Sequence, residues 1–517
     1  SLWGEIASGA RKHLETKFSR EQFDGQIRKI IARVAELPTK AMDPEYAGSY
    51  RAVEKTNPEV LNYRPAKYRM LLRAFAYWQA GRKQLVAGRP IEALVQYRHV
   101  FSTLRAKFPA AAFHAQLFCD MEQAYRATGG EQAAKCCVAE CLRLGSTASI
   151  AKRQDPRRKR GAERGGENIP EISVIIPTYN RKETLRLCLA ALAFQTLPAE
   201  RWEIVVVDDG SSDGTDLFCR DYVHPNSNLR FIRQENQGAG AARRTGVEAA
   251  RGEFILLMND DTIASSDLLA EHFKIQRENR GAKLAVLGAF RASDECVHRA
   301  LSCWINRSPF FFPQNTLKPG RYQESAYFIT CNLSIRREAV LEAGNFDPQF
   351  RVAEDTELGA RLRQRSYEVL FHPDAEAWHE HGRFTLPDLL RRAGAYGQAD
   401  WLLFQKHPEL LGSGTGPFGK LQEGDFARLK ATVEKNREAV AVAMNALELM
   451  EEMEMLPLFR KRTDGTTAAG ELWLQLAKVV PMVYWQYLFE SFLRARETVS
   501  GQQSSEEEMA PRTAAMR

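Results

Sequence analysis

No two of the nine cysteines are spaced Cys-x-x-Cys and they follow no regular framework, so neither a disulfide scaffold nor a zinc ribbon is indicated, and a reducing compartment fits. Cys137 and Cys141 share a predicted helical face with Cys136 beside them, but no histidine stands near enough to complete a ligand set, and they read as packed thiols. Long apolar runs are missing too. The nearest approach, 472–493, mixes Trp473, Tyr484, Trp485, Tyr487 and Phe492 with Gln475, Lys478, Pro481, Gln486 and Glu490, which is too polar to span a bilayer. It reads either as a helix docked on the rest of the protein or as an interfacial helix making peripheral membrane contact. No secretory signal pattern is read from Ser1 onward, and a cytoplasmic location, peripheral at most at the inner membrane face, is expected. Charge of one sign is scarce: a net +7 over 517 residues argues only weakly for an acidic partner. Much of that excess lies between Lys152 and Arg164, in Arg153, Arg157, Arg158, Lys159, Arg160 and Arg164, ahead of Gly165-Gly166. Without interleaved aromatics this is an exposed linker, and no nucleic acid is expected as a partner.

What is present divides by texture, and the length suggests about three domains. Residues 1–150 read as helical. Within them, Gly88-Arg89-Pro90 followed by Ile91, Ala93, Leu94 and Tyr97, then Ala124-Tyr125, Gly129-Gly130 and Ala133, resemble paired helices of tetratricopeptide type, with a generic bundle as the alternative. The basic linker occupies 151–168. From 169 to 415 short apolar runs alternate with helical periodicity: strands are predicted at 172–176, 203–207, 229–232, 254–258, 284–287 and 327–335, and helices at 182–195, 213–222, 239–250 and 265–279. This is βαβ traffic, hence an α/β domain with a largely parallel sheet covered on both faces. Charged helices return over 416–500, notably a long one from Gly424 to Met455, and the polar tail 501–517 is expected to be disordered.

Polar clusters close three of the predicted strands. The first ends Pro177-Thr178-Tyr179-Asn180-Arg181, the second Asp208-Asp209-Gly210-Ser211-Ser212-Asp213, and the fourth Asn259-Asp260-Asp261-Thr262. The carboxyl edge of an α/β sheet is where such folds bind ligands. Two acidic side chains held together there repel unless a cation lies between them, and hard oxygen donors beside a polyanion suit Mg or Mn. Each cluster also has a local reading: Asn and Asp favour turns, Asp213 reads as a helix cap, and the acidic pair Glu354-Asp355 suits the first turn of a helix whose buried face carries Leu358 and Leu362. Gly238-Ala239-Gly240 lacks the full Gly-x-Gly-x-x-Gly spacing and is rejected as a dinucleotide loop.

As an ordered set, Ser173 to Asn180, Val206 to Ser211, Asn236 to Gly246 and the Asn259 to Asp261 element resemble the family 2 glycosyltransferases of the GT-A fold, over roughly 172–405. Gly344-Asn345-Phe346-Asp347, Glu354-Asp355 and Arg361-Leu362 extend the resemblance. It implies that Pro177, Thr178 and Tyr179 line the nucleotide base and that Asp208 and Asp209 hold base or ribose. It implies further that Arg243, Asn259 and Asp260 belong to the nucleotide-sugar site, that Asp261 ligates a divalent metal (Mn or Mg), and that Asp355, with Glu354 beside it, is the catalytic base. Arg244 stands where the family has Asn, and Asn259 where it has the first Asp of Asp-x-Asp. By the same resemblance, a histidine of Ala377-Trp378-His379-Glu380-His381 would complete the metal shell or touch the diphosphate. The two alternate along an extended segment, so only one points inward, and His379 is preferred.

The resemblance implies an inverting, metal-dependent enzyme that moves a sugar from a nucleotide sugar donor, UDP- or dTDP-linked, to a hydroxyl of a protein such as flagellin or of a surface glycan or glycolipid. The helical domain is expected to grip an extended protein acceptor. No Gln-x-x-Arg-Trp element appears, which favours adding one or a few sugars over polymerising. The rival reading is a non-catalytic scaffold with helical partner-binding domains and a degenerate transferase domain.

Overall fold

In the computed structural model, the described residues are 169–193, 195–221, 228–292, 299–323, 327–380, 384–410, 425–451, 453 and 468–513, with scattered positions from 77 to 128. The expected helix at 5–36, the basic linker, the 136–141 cysteines and His381 lie outside them, as does most of the tetratricopeptide-like region. The described positions from 77 to 128 are helical or in turns, with Ala93, Tyr97 and Ala124 fully buried.

Two compact units emerge. The first, built on 169–292 and 313–380, carries the sheet. Its elements are β1 (Ile172–Thr178), α1 (Lys182–Leu192), β2 (Trp202–Asp208), α2 (Thr215–Asp221), β3 (Asn228–Arg233), α3 (Ala239–Ala249), β4 (Phe254–Met258), β5 (Thr262–Ala264), α4 (Leu268–Glu278) and β6 (Leu284–Ala292). After the intervening α5 (Ala300–Arg307), which belongs to the other unit, come β7 (Gly320–Tyr322), β8 (Asn332–Arg336), α6 (Arg337–Glu342), α7 (Glu354–Gln364) and β9 (Glu368–His379). The sheet runs β3-β2-β1-β4-β8-β6-β9-β5, with β7 added on β9. It is parallel through β3, β2, β1 and β4 and again between β6 and β9, while β8, β5 and β7 run antiparallel to their neighbours.

β1, β2 and β4 are buried along their whole length, as near-continuous apolar runs with both faces covered should be. One core cluster joins Ile175, Ile255, Leu257, Leu287 and Ile335 to Val247 of α3 and to Leu358 and Leu362 of α7. The chain steps outward from β1 through β2 to β3 and then returns to place β4 on the other side of β1. The strand order therefore reverses between β1 and β4, and a crevice opens outside their carboxyl ends. Those ends are Thr178 and Met258, which puts Tyr179 to Arg181 and Asn259 to Asp261 at the crevice.

Three expectations are corrected. The strand expected at 327–335 begins only at Asn332; Phe328 is buried in the core without joining the ladder, so its hydrophobicity reports burial and not strand. Gly424 to Met455 is not one helix: α9 (Phe426–Lys435) and α10 (Arg437–Glu451) meet at a break at Asn436. The tail from Gly501 is helical in backbone to Thr513, as the end of α11 (Ala468–Thr513).

The second unit gathers 299–312 with 384–513, so α8 (Leu386–Lys406) belongs with the C-terminal helices and not, as the expected border at 415 had it, with the sheet. α8 starts on a capping box: Thr385 accepts from the Asp388 amide, and Asp388 accepts in turn from the Thr385 amide at 3.0 Å. Along α11, Leu472, Trp473, Tyr484, Trp485, Phe489 and Phe492 are buried. Gln486 donates to the Val433 carbonyl of α9 at 3.0 Å and Ser491 to the Gly394 carbonyl of α8 at 2.7 Å. Of the two readings of this segment the structure shows docking: its aromatic residues pack against neighbouring helices. No helix among the described residues is long and apolar enough to cross a membrane.

Candidate active site

The loop after β1 and the loop after β2 hold each other. Asn180, at φ 52°, donates its amide to Ser211 Oγ (2.8 Å), and its side-chain oxygen accepts from the Ser212 amide (2.7 Å). Asp213 is a double helix cap, accepting at 3.0 Å from Lys182 N at the start of α1 and from Thr215 N at the start of α2. Tyr179, left pointing outward, is 47% exposed and presents a ring face for stacking. Pro177 and Thr178, expected beside it on the base, are buried within β1.

Thr178 Oγ1 instead donates to Asp260 Oδ2 at 2.8 Å, tying the end of β1 to the end of β4. Arg181 reaches the same carboxylates: its Nη1 lies 2.6 Å from Asp261 Oδ2 and 3.3 Å from Asp260 Oδ1. Burial, and then the neighbouring Asp261 charge, raise the Asp260 pKa to about 6. Arg181 carried no role in the sequence reading. Its signal was there, a guanidinium at the end of the first polar cluster, but the two acids it meets lie 79 and 80 positions further on.

Asp208 accepts from the Ser211 amide at 3.0 Å and faces Arg233 Nη1 at 3.6 Å. Asp209, expected on base or ribose, is buried and accepts from Gln234 Nε2 (2.8 Å), Gln237 N (3.0 Å) and Gly238 N (2.7 Å). It fastens the loop that leads into α3.

Arg243 sits on the second turn of α3, buried, with its terminal nitrogens divided. Nη1 pairs with Glu354 Oε1 at 2.5 Å and Nη2 donates to Asn259 Oδ1 at 2.8 Å. It therefore joins the start of α7 to the end of β4. Burial pushes Glu354 up to about 7, opposed by Arg243 and assisted by the Asp355 charge. Ala353, just before the acidic pair, is in the left-handed region (φ 61°), which turns the chain sharply into α7. Asp355 is half-buried, and its Oδ1 accepts from the Thr356 amide at 2.8 Å. Gly240 keeps α3 and α7 close: a Cβ there would lie 3.0 Å from both Glu354 Cβ and the Phe350 carbonyl oxygen.

β5 pairs with β9 in the register Thr262↔His379, and the Glu380 amide donates to the Asp261 carbonyl at 2.7 Å. That register sets His379 Nε2 3.3 Å from Asp261 Oδ2, with the ring tilted against Phe290. Among the described residues no group of three or more His, Cys, Asp or Glu side chains forms a ready metal cage. One carboxylate and one imidazole at this spacing fit an ion such as Mn or Mg that takes the rest of its shell from substrate oxygens and water.

The remaining question is whether Asp261 and Asp355 share one region. They lie close along the chain to a single guanidinium: Arg243 binds Glu354, the neighbour of Asp355, and Asn259, two residues before Asp261. Polar groups from the ends of β1 and β4 and the start of α7 thus converge at the switch point of a GT-A-like α/β sheet, the arrangement of a glycosyltransferase. Residues 173–343 match the family described as Glycosyl transferase family 2. The chain is similar to glycosyltransferase AglE of Haloferax volcanii, 42% identical over 254 residues that make up 46% of this chain and 75% of AglE. To the poly(ribitol-phosphate) beta-glucosyltransferase of Bacillus spizizenii it is 33% identical over 112 residues, 21% of this chain and only 18% of that enzyme. Among solved structures, the mannosyltransferase PcManGT of Pyrobaculum calidifontis, in complex with GDP-Man and Mn2+, aligns with TM-score 0.40 and 20% identity over 63% of this chain and 86% of its own. The chain belongs to glycosyltransferase family 2.

Proposed function

We propose that the protein transfers a sugar from a nucleotide sugar, UDP- or dTDP-linked, to a hydroxyl acceptor in a single inverting displacement that depends on a divalent metal. The observation that carries this reading is the Arg243 bridge, which holds the acidic start of α7, with Asp355, to the strand end that carries Asp261. Tyr179 stacks on the base. Asp355 takes the acceptor hydroxyl proton, since Glu354 is committed to Arg243 while Asp355 has one oxygen turned to its own helix and a second for the acceptor. Asp261 and His379 hold the metal, which when bound offsets the negative charge gathering on the departing nucleoside diphosphate. For the acceptor we favour a protein side chain or a surface glycan; unchanged transfer to every protein acceptor after removal of the residues before Ile172 would end the case for a gripping helical domain.

The test is nucleotide release from UDP-, dTDP- and GDP-sugars with and without Mn, on wild type and two variants. Asp261→Ala is expected to lose metal-dependent nucleotide binding. Asp355→Ala is expected to keep that binding and lose transfer by about 100-fold or more. Normal transfer by Asp355→Ala to the natural acceptor would overturn the base assignment.

A further inference from the structure

One oxygen of the site is contested. Asp261 Oδ2 is approached at 2.6 Å by Arg181 Nη1 and at 3.3 Å by His379 Nε2, and the same Arg181 nitrogen lies 3.3 Å from Asp260 Oδ1. Asp260 and Asp261 are both buried, whereas the Arg181 side chain is 39% exposed. A partly exposed arginine is therefore neutralising two buried carboxylates. Mg or Mn bound to the same carboxylate oxygen lies about 2.0–2.2 Å from it, closer than Arg181 now is. Two cations crowded on one carboxylate repel, and the one carried on a partly exposed side chain is the guanidinium. Its planar fork suits phosphate oxygens as well as carboxylates. Asp260 would not be stranded by the departure, because Thr178 Oγ1 still donates to its other oxygen at 2.8 Å.

We propose that Arg181 is an exchangeable counter-cation: it occupies the cation position of Asp260 and Asp261 in the donor-free enzyme, yields it to the divalent ion, and then donates to the nucleotide diphosphate. The inference rests on the metal-dependent reading of this site. It makes metal and nucleotide binding mutually reinforcing, since metal alone must evict Arg181 with no anion to receive it, and thermodynamic linkage makes the coupling the same in both directions.

Free Mn2+ can be followed by electron paramagnetic resonance in titrations of the full chain, alone and with UDP, dTDP or GDP. Wild type is expected to bind Mn2+ about 10-fold more tightly with the matching nucleotide than without it. Arg181→Met is expected to bind Mn2+ alone several-fold more tightly than wild type and to lose most of the coupling. Arg181→Lys, which keeps the charge, is expected to resemble wild type. A residue that merely supported the loop would leave the affinity for Mn2+ alone unchanged or lower when altered, so tighter binding in Arg181→Met distinguishes exchange from scaffolding. Equal Mn2+ affinities of wild type and Arg181→Met, with coupling intact in both, would overturn the exchange and leave the metal site standing. No Mn2+ binding by wild type under any condition, or undiminished Mn2+ binding by Asp261→Asn, would overturn the metal reading and the exchange with it.

Discussion

Arg243 ties two parts of the site together, because one guanidinium holds both Glu354 and Asn259. Arg243→Met would leave Glu354 buried without its cation and Asn259 Oδ1 without its donor. Breaking one side of a buried pair costs on the order of 3 kcal/mol, part of which Glu354 escapes by keeping its proton. The consequence for catalysis is specific: α7 loses its tether to the strand end, so Asp355 is held less well. Transfer is expected to fall by more than 10-fold while nucleotide affinity changes little, a kcat loss in steady-state kinetics with KM for the donor nearly constant. The membership of Arg243 in the site was legible in sequence, since the run from Asn236 to Gly246 names it. Its partners were not. Glu354 lies 111 positions on, and nothing local says that an arginine expected near a nucleotide spends its donors on a helix start. Asp209 teaches the same lesson from the acid side: the Asp-Asp-Gly-Ser cluster marked the strand end, but only the fold reveals three donors from the 234–238 loop already on its oxygens.

Elements were legible where periodicity and burial agree. Apolar runs such as Phe254 to Met258 and Glu203 to Val207 became strands within a residue or two of expectation, because a strand buried on both faces has few other readings. Periodicity failed where burial came without regular pairing, as at Phe328, and where one residue divides a helix, as at Asn436, whose modest helix propensity leaves no mark in a charged, amphipathic run. It was blind as well to the closeness of helices. At Gly397 of α8 a Cβ would collide with the Leu488 carbonyl oxygen of α11 and lie 3.0 Å from the Phe492 amide nitrogen, so the two backbones touch there with no side chain between them. Those neighbours are backbone and cannot rotate aside. Gly397→Ala is therefore expected to destabilise the helical unit by about 1–3 kcal/mol, even though alanine is the better helix former. Denaturant unfolding followed by the buried tryptophans of α11, Trp473 and Trp485, reads this directly; a stabilised Gly397→Ala protein would show that α8 and α11 do not cross so closely.

At the scale of the whole molecule, buried acids set how stability responds to pH. Burial raises Asp400 of α8 to about 8, Glu354 to about 7 and Asp260 to about 6. A carboxyl with a folded pKa above its unfolded one keeps its proton in the fold after the unfolded chain has released it. The native state then binds more protons across that window, and stability falls as pH rises through it, from about 4 up to each folded value. Other acids act in the opposite sense. Glu253 is lowered by its hydrogen bond from Arg280, and Glu368 by those from Gln323 and Arg321, so their contributions are lost only as pH drops below the usual carboxylate range. The combination is a stability maximum on the acid side of neutrality: the thermal midpoint is expected to be higher at about pH 5.5 than at about pH 8.5. Asp400 separates this account from general charge repulsion, because burial alone accounts for its shift and it belongs to the helical unit. Asp400→Asn replaces a proton-holding carboxyl with a neutral group of nearly the same shape. It is expected to match wild type only near about pH 4, where the carboxyl is protonated in both states, and to exceed it by a growing amount up to about pH 8.5, on the order of a few kcal/mol, with a flatter midpoint-against-pH curve between. A variant whose curve runs parallel to that of wild type would show that Asp400 titrates in the fold as it does in the unfolded chain, and that the helical unit does not bury an acid at its centre.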